Sequence, residues 1–276
     1  MTITTLMDNW VFGQLDMKCE HGFSCLIEHN GHTVLFDTGA SGSFLKNAVK
    51  LHKDLSKIDA LVISHAHYDH TGGCVDLARK IDCNGIPFYT GPRFFNKKYA
   101  KDPDGLRYLG PDFSADDLAS FGMRHIELSQ PVVEIFPGLF LVGEFQRTRS
   151  YETPDPRFVI QDGTDESIDS FDDEIMLVAK TSHQIVVITG CSHPGIMNML
   201  DTVSSRFNEP IIALFGGIHL FNATEERREA VMHALSEYNI GMLCLSHCTG
   251  EDVVGQMKDR FAFTRMNGAG AVFSFE

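Results

Sequence analysis

The chain is organised around Leu61-Val-Ile-Ser-His65-Ala-His67-Tyr-Asp69-His70-Thr-Gly-Gly73. The apolar start of this stretch predicts a buried strand, and the glycine pair behind the polar residues predicts a loop at its end. Imidazole and carboxylate groups are ligands that hold zinc, iron or manganese in proteins. We therefore predict a metal site in which His65 and His67 face one ion, while Asp69 and His70 turn towards a second. The alternative, a solvated loop that happens to be rich in histidine, is disfavoured.

The composition is typical of a globular protein with a net negative charge. Of the 276 residues, 43% are hydrophobic and 22% are charged, and the formal net charge is −14. This charge disfavours nucleic-acid binding, which needs Lys and Arg to neutralise phosphates. No apolar run is as long as a membrane span, and Met1 to Trp10 has no features of a signal peptide. Seven scattered cysteines without a Cys-x-x-Cys pair predict reduced thiols and a cytoplasmic location.

The motif His-x-His-x-Asp-His after an apolar strand resembles the signature of the metallo-β-lactamase superfamily, and the similarity runs over nearly the whole chain. This resemblance implies an α/β fold, a four-layer αββα sandwich, formed by one domain over residues 1–276 with a lid-like insertion at about 92–170. It also implies two divalent metal ions, for which zinc is our first choice and manganese and iron are the alternatives. Such an ion lowers the pKa of a bound water to about 7, and Asp69 would orient this nucleophile.

Hydrophobic periodicity and turn residues predict the order of the other elements. Asn30-Gly31 predicts a tight hairpin between two strands, Phe23–His29 and His32–Asp37. Ser114 with Asp117 three residues later predicts a capped helix over Ser114–Phe121. The remaining predicted strands are Thr2–Asp8, Ala60–Ser64, Val132–Ile135, Leu139–Val142, Ile175–Ala179, Ile185–Thr189, Pro210–Phe215, Gly241–Leu245 and Ala271–Phe275. The remaining predicted helices are Gly42–His52, Gly72–Lys80, one from Pro194 to Phe207, one from Asn222 or Thr224 to about Tyr238, and one ending near Phe261.

Three further apolar strands are followed by a histidine, at His193, His219 and His247. Because ligands bind at the carboxyl ends of strands in open α/β sheets, we expect these histidines to share one crevice with the first cluster. We assign His65, His67 and His193 to the first metal, and Asp69, His70 and His247 to the second. For His219, a ligand, a proton donor, a substrate contact and a structural imidazole all stay open. We expect no role in the site for the other histidines, at positions 21, 29, 32, 52, 125, 183 and 233.

Two positions near the predicted site have more than one possible role. In the superfamily an aspartate stands behind the metal loop and steadies it; Asp37 matches that position, and a turn or cap carboxylate is the alternative. Many members also have Gly-Asp after a late strand, whose carboxylate bridges the two ions, whereas this chain has Gly190-Cys191. Cys191 as a thiolate ligand, Cys191 as an inert buried thiol, and an acid among residues 172–174 are the three possibilities.

The middle of the chain is less regular. Arg93, Lys97, Lys98, Lys101 and Arg107 form a basic stretch with aromatic residues between them. We favour a solvated surface for this stretch, and a lid that recognises an anionic substrate is the alternative. The segment after Glu152 is predicted to be an acidic, proline-containing loop that reaches Glu174.

Several shorter motifs resemble one branch of the superfamily, the metal-dependent hydrolases that include the dihydropterin-methyl ribofuranosylaminobenzene-phosphate synthase. These motifs are Gly143-Glu-Phe-Gln-Arg147, Asp172-Asp-Glu174, Gly190-Cys-Ser-His193-Pro-Gly195, Gly216-Gly-Ile-His219-Leu220 and His247-Cys-Thr-Gly250. Arg147 matches the arginine of the branch, and a guanidinium at the mouth of the site would bind a phosphate or carboxylate. A surface ion pair is the alternative for Arg147. Gln146 departs from the proline of the branch.

Three functional hypotheses follow. The first is a two-metal hydrolase that acts on a small anionic ester or phosphoester, with Asp69 and His219 as catalytic residues and Arg147 as a substrate contact. The second is a synthase that joins a pterin to a ribofuranosylaminobenzene phosphate, and the third is a non-catalytic metal-binding protein. His67 occupies a position where oxygen-reducing diiron relatives carry Glu, which favours hydrolysis over redox chemistry. The expected partner is a small molecule, phosphate-bearing or pterin-like, rather than nucleic acid or a membrane.

Overall fold

The computed structural model describes residues 1–275, and within them the chain forms eighteen strands in three sheets and seven α-helices. The strands are β1 Thr2–Met7, β2 Ser24–His29, β3 His32–Phe36, β4 Ala60–Val62, β5 Pro87–Thr90, β6 Lys97–Asp102, β7 Gly105–Tyr108, β8 Arg124–Glu127, β9 Val132–Phe136, β10 Leu139–Val142, β11 Phe158–Asp162, β12 Asp165–Ile168, β13 Met176–Lys180, β14 Ile185–Thr189, β15 Ile211–Gly216, β16 Met242–Leu245, β17 Thr264–Met266 and β18 Val272–Ser274. The helices are α1 Ser43–Lys50, α2 Tyr68–Thr71, α3 Cys74–Lys80, α4 Ala115–Ser120, α5 Ile196–Arg206, α6 Glu225–Glu237 and α7 Glu251–Arg260.

Two seven-stranded sheets pack face to face. Their strand orders are β18-β1-β2-β3-β4-β5-β8 and β17-β16-β15-β14-β13-β10-β9. The apolar core between them takes residues from both sheets, such as Ile27 and Val62 from the first and Leu177 and Ile188 from the second. Successive side chains of a strand point to opposite faces, so the alternate residues are free to pack against helices.

Helices cover the outer faces of both sheets and complete the four layers. On the first sheet, Leu35 and Leu61 pack with Phe44 of α1 and Leu77 of α3. On the second sheet, the outward residues of β13 and β14 pack with α5, α6 and α7, through residues such as Leu200, Val231 and Val253. The predicted αββα sandwich is confirmed.

Local signals predicted several elements well. Asn30 and Gly31 both adopt the positive φ that the hairpin turn requires, at 49° and 81°. The predicted capping box forms, because Ser114 accepts from the Asp117 amide and Asp117 accepts from the Ser114 amide. Such caps satisfy amide groups that the first turn of a helix leaves unpaired.

The third sheet is small, and no sequence pattern predicted it. Its strand order is β12-β11-β6-β7, so two distant segments build it. The acidic loop expected before Glu174 was wrong in part, since β11 and β12 lie within it. The predicted lid-like insertion at about 92–170 is not one block either, because β8, β9 and β10 inside that range join the large sheets. Short, charged strands with weak hydrophobic alternation gave no clear signal. That the chain is a single domain stays a prediction.

All seven cysteines are free thiols in the structure. Among residues 1–275, no helix is both long enough and apolar enough to cross a lipid bilayer.

Candidate metal centre

The first cluster consists of His65, His67 and His193. One ring nitrogen from each lies within 4.8 Å of the others, and all three residues are buried. His65 and His67 follow β4 in the first sheet, whereas His193 follows β14 in the second. The cluster therefore spans the rim of the sandwich, where parallel strands of both sheets end.

The second cluster lies beside the first and consists of Asp69, His70, Cys191 and His247. Their ligand atoms also lie within 4.8 Å of one another. Asp69 Oδ2 is 3.2 Å from His247 Nε2 and 3.8 Å from His70 Nε2, and Cys191 Sγ is 3.2 Å from His70 Nε2. The structure thus brings together all six residues that were predicted as metal ligands, and with them Cys191, for which a ligand and an inert thiol were both left open.

The hydrogen-bonding state of the imidazoles fits metal ions at both clusters. The Nε2 atoms of His65, His67, His193 and His247 are buried and find no hydrogen-bond partner within residues 1–275. Buried polar atoms are seldom left unpaired, so four converging ones indicate a missing partner such as a cation. The opposite nitrogens of two second-cluster rings are engaged: His247 Nδ1 bonds Asn9 Oδ1 at 2.8 Å, and His70 Nδ1 bonds Asp37 Oδ2 at 2.7 Å. These contacts turn the Nε2 atoms of His70 and His247 towards Cys191 Sγ and Asp69 Oδ2, the other ligand atoms of the second cluster.

The electrostatics of the clusters favour the protonation states that metal ligands need. Burial holds the pKa of His65, His67 and His193 well below the usual value, and it lowers that of His247 to about 4. Neutral imidazoles keep a lone pair for a cation. Burial opposes ionisation of Asp69, but His70, His21 and His247 together hold its pKa well below the usual range. His70 differs, because Asp37 and Asp69 outweigh burial and hold the pKa of its ring above the usual value. The centre therefore offers four neutral imidazoles and one carboxylate at neutral pH, and a cation at His70 would have to displace a proton.

Asp37 supports the metal loop from behind, which is one of the two interpretations that the sequence left open. The Ser64 amide donates to Asp37 Oδ1 at 2.7 Å, and the Ser64 hydroxyl donates to Oδ2 at 2.8 Å. Together with the His70 contact, these bonds fix the end of β4 and the orientation of the His70 ring. Gly190 packs against the same network, because a Cβ there would meet Ser64 Oγ at 2.1 Å. The glycine before Cys191 is thus a steric requirement.

Two of the three acids at positions 172–174 accept hydrogen bonds from backbone amides of the ligand loops. Asp173 Oδ2 accepts from the Ala66 amide at 3.0 Å, between His65 and His67. Glu174 accepts from the Ser192 amide at 2.5 Å and from the His193 amide at 2.8 Å, and burial raises its pKa to about 8. Asp172 pairs with Arg93 at 2.7 Å on the surface. The geometry therefore disfavours an acid from residues 172–174 and places Cys191 Sγ among the ligand atoms of the second cluster.

The backbone at the site is strained. Asp37, Ser192, His219 and His247 adopt positive φ values of 57°, 63°, 47° and 49°. This left-handed region is unfavourable for residues with a Cβ and persists where the surrounding structure enforces it. These residues lie just after strands β3, β14, β15 and β16, so the chain turns sharply there and directs side chains into the rim.

A cavity of about 80 Å³ opens onto both clusters. Its wall includes His219, whose ring centroid lies 4.3 Å from that of His193. It also includes His21, whose Nε2 lies 3.2 Å from Asp69 Oδ2, so the expectation that His21 lies outside the site was wrong. No local pattern marked His21, because the segment between β1 and β2 reaches the rim only through tertiary packing.

Arg147 is displaced from its predicted place at the mouth. It lines a separate cavity, donates to the Ser170 carbonyl, and lies 3.9 Å from Asp172. The cavity of the metal centre is lined instead by Arg107 and Arg157. Arg107 belongs to the basic stretch for which a lid was one interpretation, and sequence reasoning did not single out Arg157.

The role of Cys191 can be tested by its exchange for Ser. We expect Cys191→Ser to lower the affinity of the second site for its metal ion at least about 10-fold, because a hydroxyl is a poorer ligand than a thiolate. Burial raises the pKa of the Cys191 thiol well above its usual value, and a bound divalent cation would reverse this. Cobalt-substituted protein should lose its sulfur-to-metal charge-transfer band. Cys248→Ser is the matched control, since Cys248 lines the cavity outside the cluster. A band that survives Cys191→Ser would show that Cys191 is no ligand.

Comparison with known proteins agrees with this geometry. The sequence profile of the metallo-β-lactamase superfamily matches residues 17–191. The chain belongs to the metallo-β-lactamase superfamily. Among superfamily relatives, the crystal structure of a metal-dependent hydrolase of the β-lactamase superfamily shares 33% sequence identity. It superimposes with a TM-score of 0.86, covering 100% of this chain and 99% of its own.

A curated relative from Methanocaldococcus jannaschii is 29% identical over 295 residues, covering 99% of this chain and 96% of the relative. It is a 7,8-dihydropterin-6-methyl-4-(β-D-ribofuranosyl)-aminobenzene-5'-phosphate synthase. The metallo-β-lactamase fold protein YhfI from Bacillus subtilis is 15% identical with a TM-score of 0.61, over 99% of this chain and 98% of its own. At that identity YhfI indicates the shared superfamily fold alone.

Proposed function

We propose that this protein is a metal-dependent hydrolase with a two-metal site that activates water against a small anionic ester or phosphoester. The observation that carries the proposal is the pair of adjacent clusters, in which the buried Nε2 atoms of His65, His67, His193 and His247 find no hydrogen-bond partner within the described chain and converge beside one cavity. His65, His67 and His193 would hold one ion, and Asp69, His70, Cys191 and His247 would hold the other, with zinc as the first choice.

The residues of the chain have separate roles in this proposal. Divalent ions supply Lewis acidity, which makes water nucleophilic near neutral pH and offsets negative charge on the substrate. Asp69 orients the nucleophile, since its carboxylate is the ionised group at the centre of the second cluster. Asp37 keeps His70 in the tautomer that presents Nε2. His219 faces the cavity and contacts the substrate or its leaving group. The seven free thiols support the predicted cytoplasmic location.

The proposal is tested by metal analysis together with turnover. Protein loaded separately with zinc, manganese or iron is assayed with a generic phosphodiester, bis(p-nitrophenyl) phosphate, and with a neutral ester, p-nitrophenyl acetate. Two ions per chain and hydrolysis that disappears on chelation and returns with metal support the proposal. Two bound ions without turnover of either probe contradict it and favour the non-catalytic alternative.

A synthase activity is the second candidate, and one observation favours it. The synthase of M. jannaschii aligns with 99% of this chain, so the similarity includes the cavity and the small sheet above it. A reduced pterin added to the metal-loaded protein should raise its melting temperature if this candidate is correct. Indifference to pterins, together with ester turnover, would leave hydrolysis as the function.

The exchange His219→Ala is expected to lower kcat about 100-fold, which is the scale of a lost proton-transfer or hydrogen-bonding group. Metal content should be unchanged, because His219 lies outside both ligand clusters. Burial lowers the pKa of His219 to about 4, so the neutral ring is present at pH 7. His183→Ala, an exposed histidine in the β13–β14 turn, is the control. Loss of a metal ion in His219→Ala would make His219 a ligand instead.

A further inference from the structure

The inner face of the small sheet carries one cationic side chain, Arg107, beside residues that are buried. Across neighbouring strands, Ala100 of β6 is paired with Arg107 of β7 on one side and with Phe158 of β11 on the other. Residues paired in this way point to the same face of a sheet. Ala100 and Phe158 are buried, and the Phe158 ring lies 5.4 Å from that of His193 and 5.5 Å from that of His67. This face therefore covers the first cluster, and Arg107 extends from it over the cavity.

A second guanidinium joins the first. Arg157 precedes β11, and its guanidinium carbon lies 5.5 Å from the centre of the Phe158 ring. Asp102 holds both arginines: its Oδ2 is 2.7 Å from Arg107 Nε, and its Oδ1 is 3.5 Å from an Arg157 terminal nitrogen. One carboxylate cannot use all the donors of two guanidinium groups, each of which has five N–H bonds.

The charge of the cavity wall points to an anion. Arg107 and Arg157 both line the cavity, whereas Asp69 is the one carboxylate among the lining residues of the described chain. Asp69 itself is directed to the histidines of the second cluster. The whole protein has a net charge of −14, so two arginines at this site stand out against their surroundings. Planar guanidinium groups suit bidentate bonds to phosphate oxygens.

We infer that Arg107 and Arg157 form an anion subsite that binds a phosphate group of the substrate, with Asp102 as the residue that positions them. This inference rests on the proposed function for its assignment to a substrate, and it deepens that function by naming the substrate class as phosphate-bearing. The subsite lies on the sheet above the metal clusters, so it would orient the substrate from the side opposite the metal ligands.

The arginines can be changed without loss of the fold. Arg107 and Arg157 are 47% and 39% exposed, and ion pairs at such positions contribute little to stability. We expect the melting temperatures of Arg107→Ala and Arg157→Ala to stay within about 4 °C of the parent. Lys101→Ala is the matched control, because Lys101 lies on the same sheet, pairs with Glu166 at 2.6 Å and is 48% exposed, but does not line the cavity.

The test is equilibrium binding of inorganic phosphate to the zinc-loaded protein, measured by titration calorimetry. Each single alanine variant should raise the dissociation constant about 10-fold and the double variant about 100-fold, as expected for lost charged hydrogen bonds. Zinc content and the binding constant of Lys101→Ala should match the parent. Failure of the parent to bind phosphate, or equal binding by the arginine variants, overturns the inference.

This readout is independent of turnover. If the arginine variants lose phosphate but neither ester probe is hydrolysed by the parent, the proposed hydrolysis fails and the anion subsite stands. If hydrolysis occurs and the arginine variants bind phosphate as the parent does, the subsite fails and the hydrolysis stands.

Discussion

Asp69→Asn is expected to lower kcat about 1000-fold in the metal-loaded protein, the upper end of what a single electrostatic group in an active site contributes. Its Oδ2 lies 3.2 Å from Nε2 of both His21 and His247. An amide keeps the shape of the side chain but removes the charge on which a second cation depends. The affinity for the second ion should fall at least about 100-fold. Metal content after dialysis and steady-state turnover measure the two effects.

Asp172→Asn is the matched control for this exchange. Asp172 lies in the loop before β13, where it pairs with Arg93, and it is 50% exposed. Its neutralisation should leave both metal content and kcat within about threefold of the parent, because exposed ion pairs are weak. Two ions bound to Asp69→Asn with unchanged kcat would remove Asp69 from the site.

Lys98→Met is expected to destabilise the protein by about 3 to 5 kcal/mol, because it leaves two buried carboxylates without their cation. Lys98 is 2% exposed and donates to Asp169 at 2.5 Å and to Asp173 at 2.8 Å. Burial disfavours its ammonium form, yet Asp173 and Asp169 hold the pKa of Lys98 above the usual value. A urea unfolding curve measures the loss as a lower midpoint at similar slope.

The destabilisation should reach the metal loop. Asp173 also accepts from the Ala66 amide, so loss of its lysine disturbs the segment between His65 and His67. Lys97→Met is the control, since the neighbouring Lys97 side chain is exposed. A Lys98→Met variant as stable as Lys97→Met would show that the buried pairing of Lys98 with the two carboxylates contributes no net stability.

The two arginines and the buried lysine have different roles in the small sheet. Lys98 fixes the sheet to the metal loop from within, while Arg107 and Arg157 face the cavity. The basic stretch is thus divided between two roles, and the solvated surface that we favoured for it was wrong for Lys98, which is buried. Strand alternation places Lys98 and Ala100 on one face, and the lysine is neutralised by acids from the 169–173 segment.

The sandwich was implied by the resemblance of the metal motif to the metallo-β-lactamase superfamily. The sequence by itself determined the hairpin at Asn30-Gly31, the capping box at Ser114, and the grouping of His65, His67, Asp69 and His70. These features depend on local properties: hydrophobic periodicity, turn chemistry, and the spacing of ligands within one loop. The approach of His193 and His247 was also predictable, because parallel strands bring their carboxyl ends to one rim.

Only the tertiary structure decided which side chains complete the site. His21, Arg107 and Arg157 reach the cavity from segments with no motif of their own, and Arg147, which has a motif, faces elsewhere. Cys191 lies in the second cluster, whereas Asp173 and Glu174 are bound to backbone amides of the two ligand loops. Such choices follow from packing and strand pairing between residues far apart in sequence, and local patterns carry no information about that register.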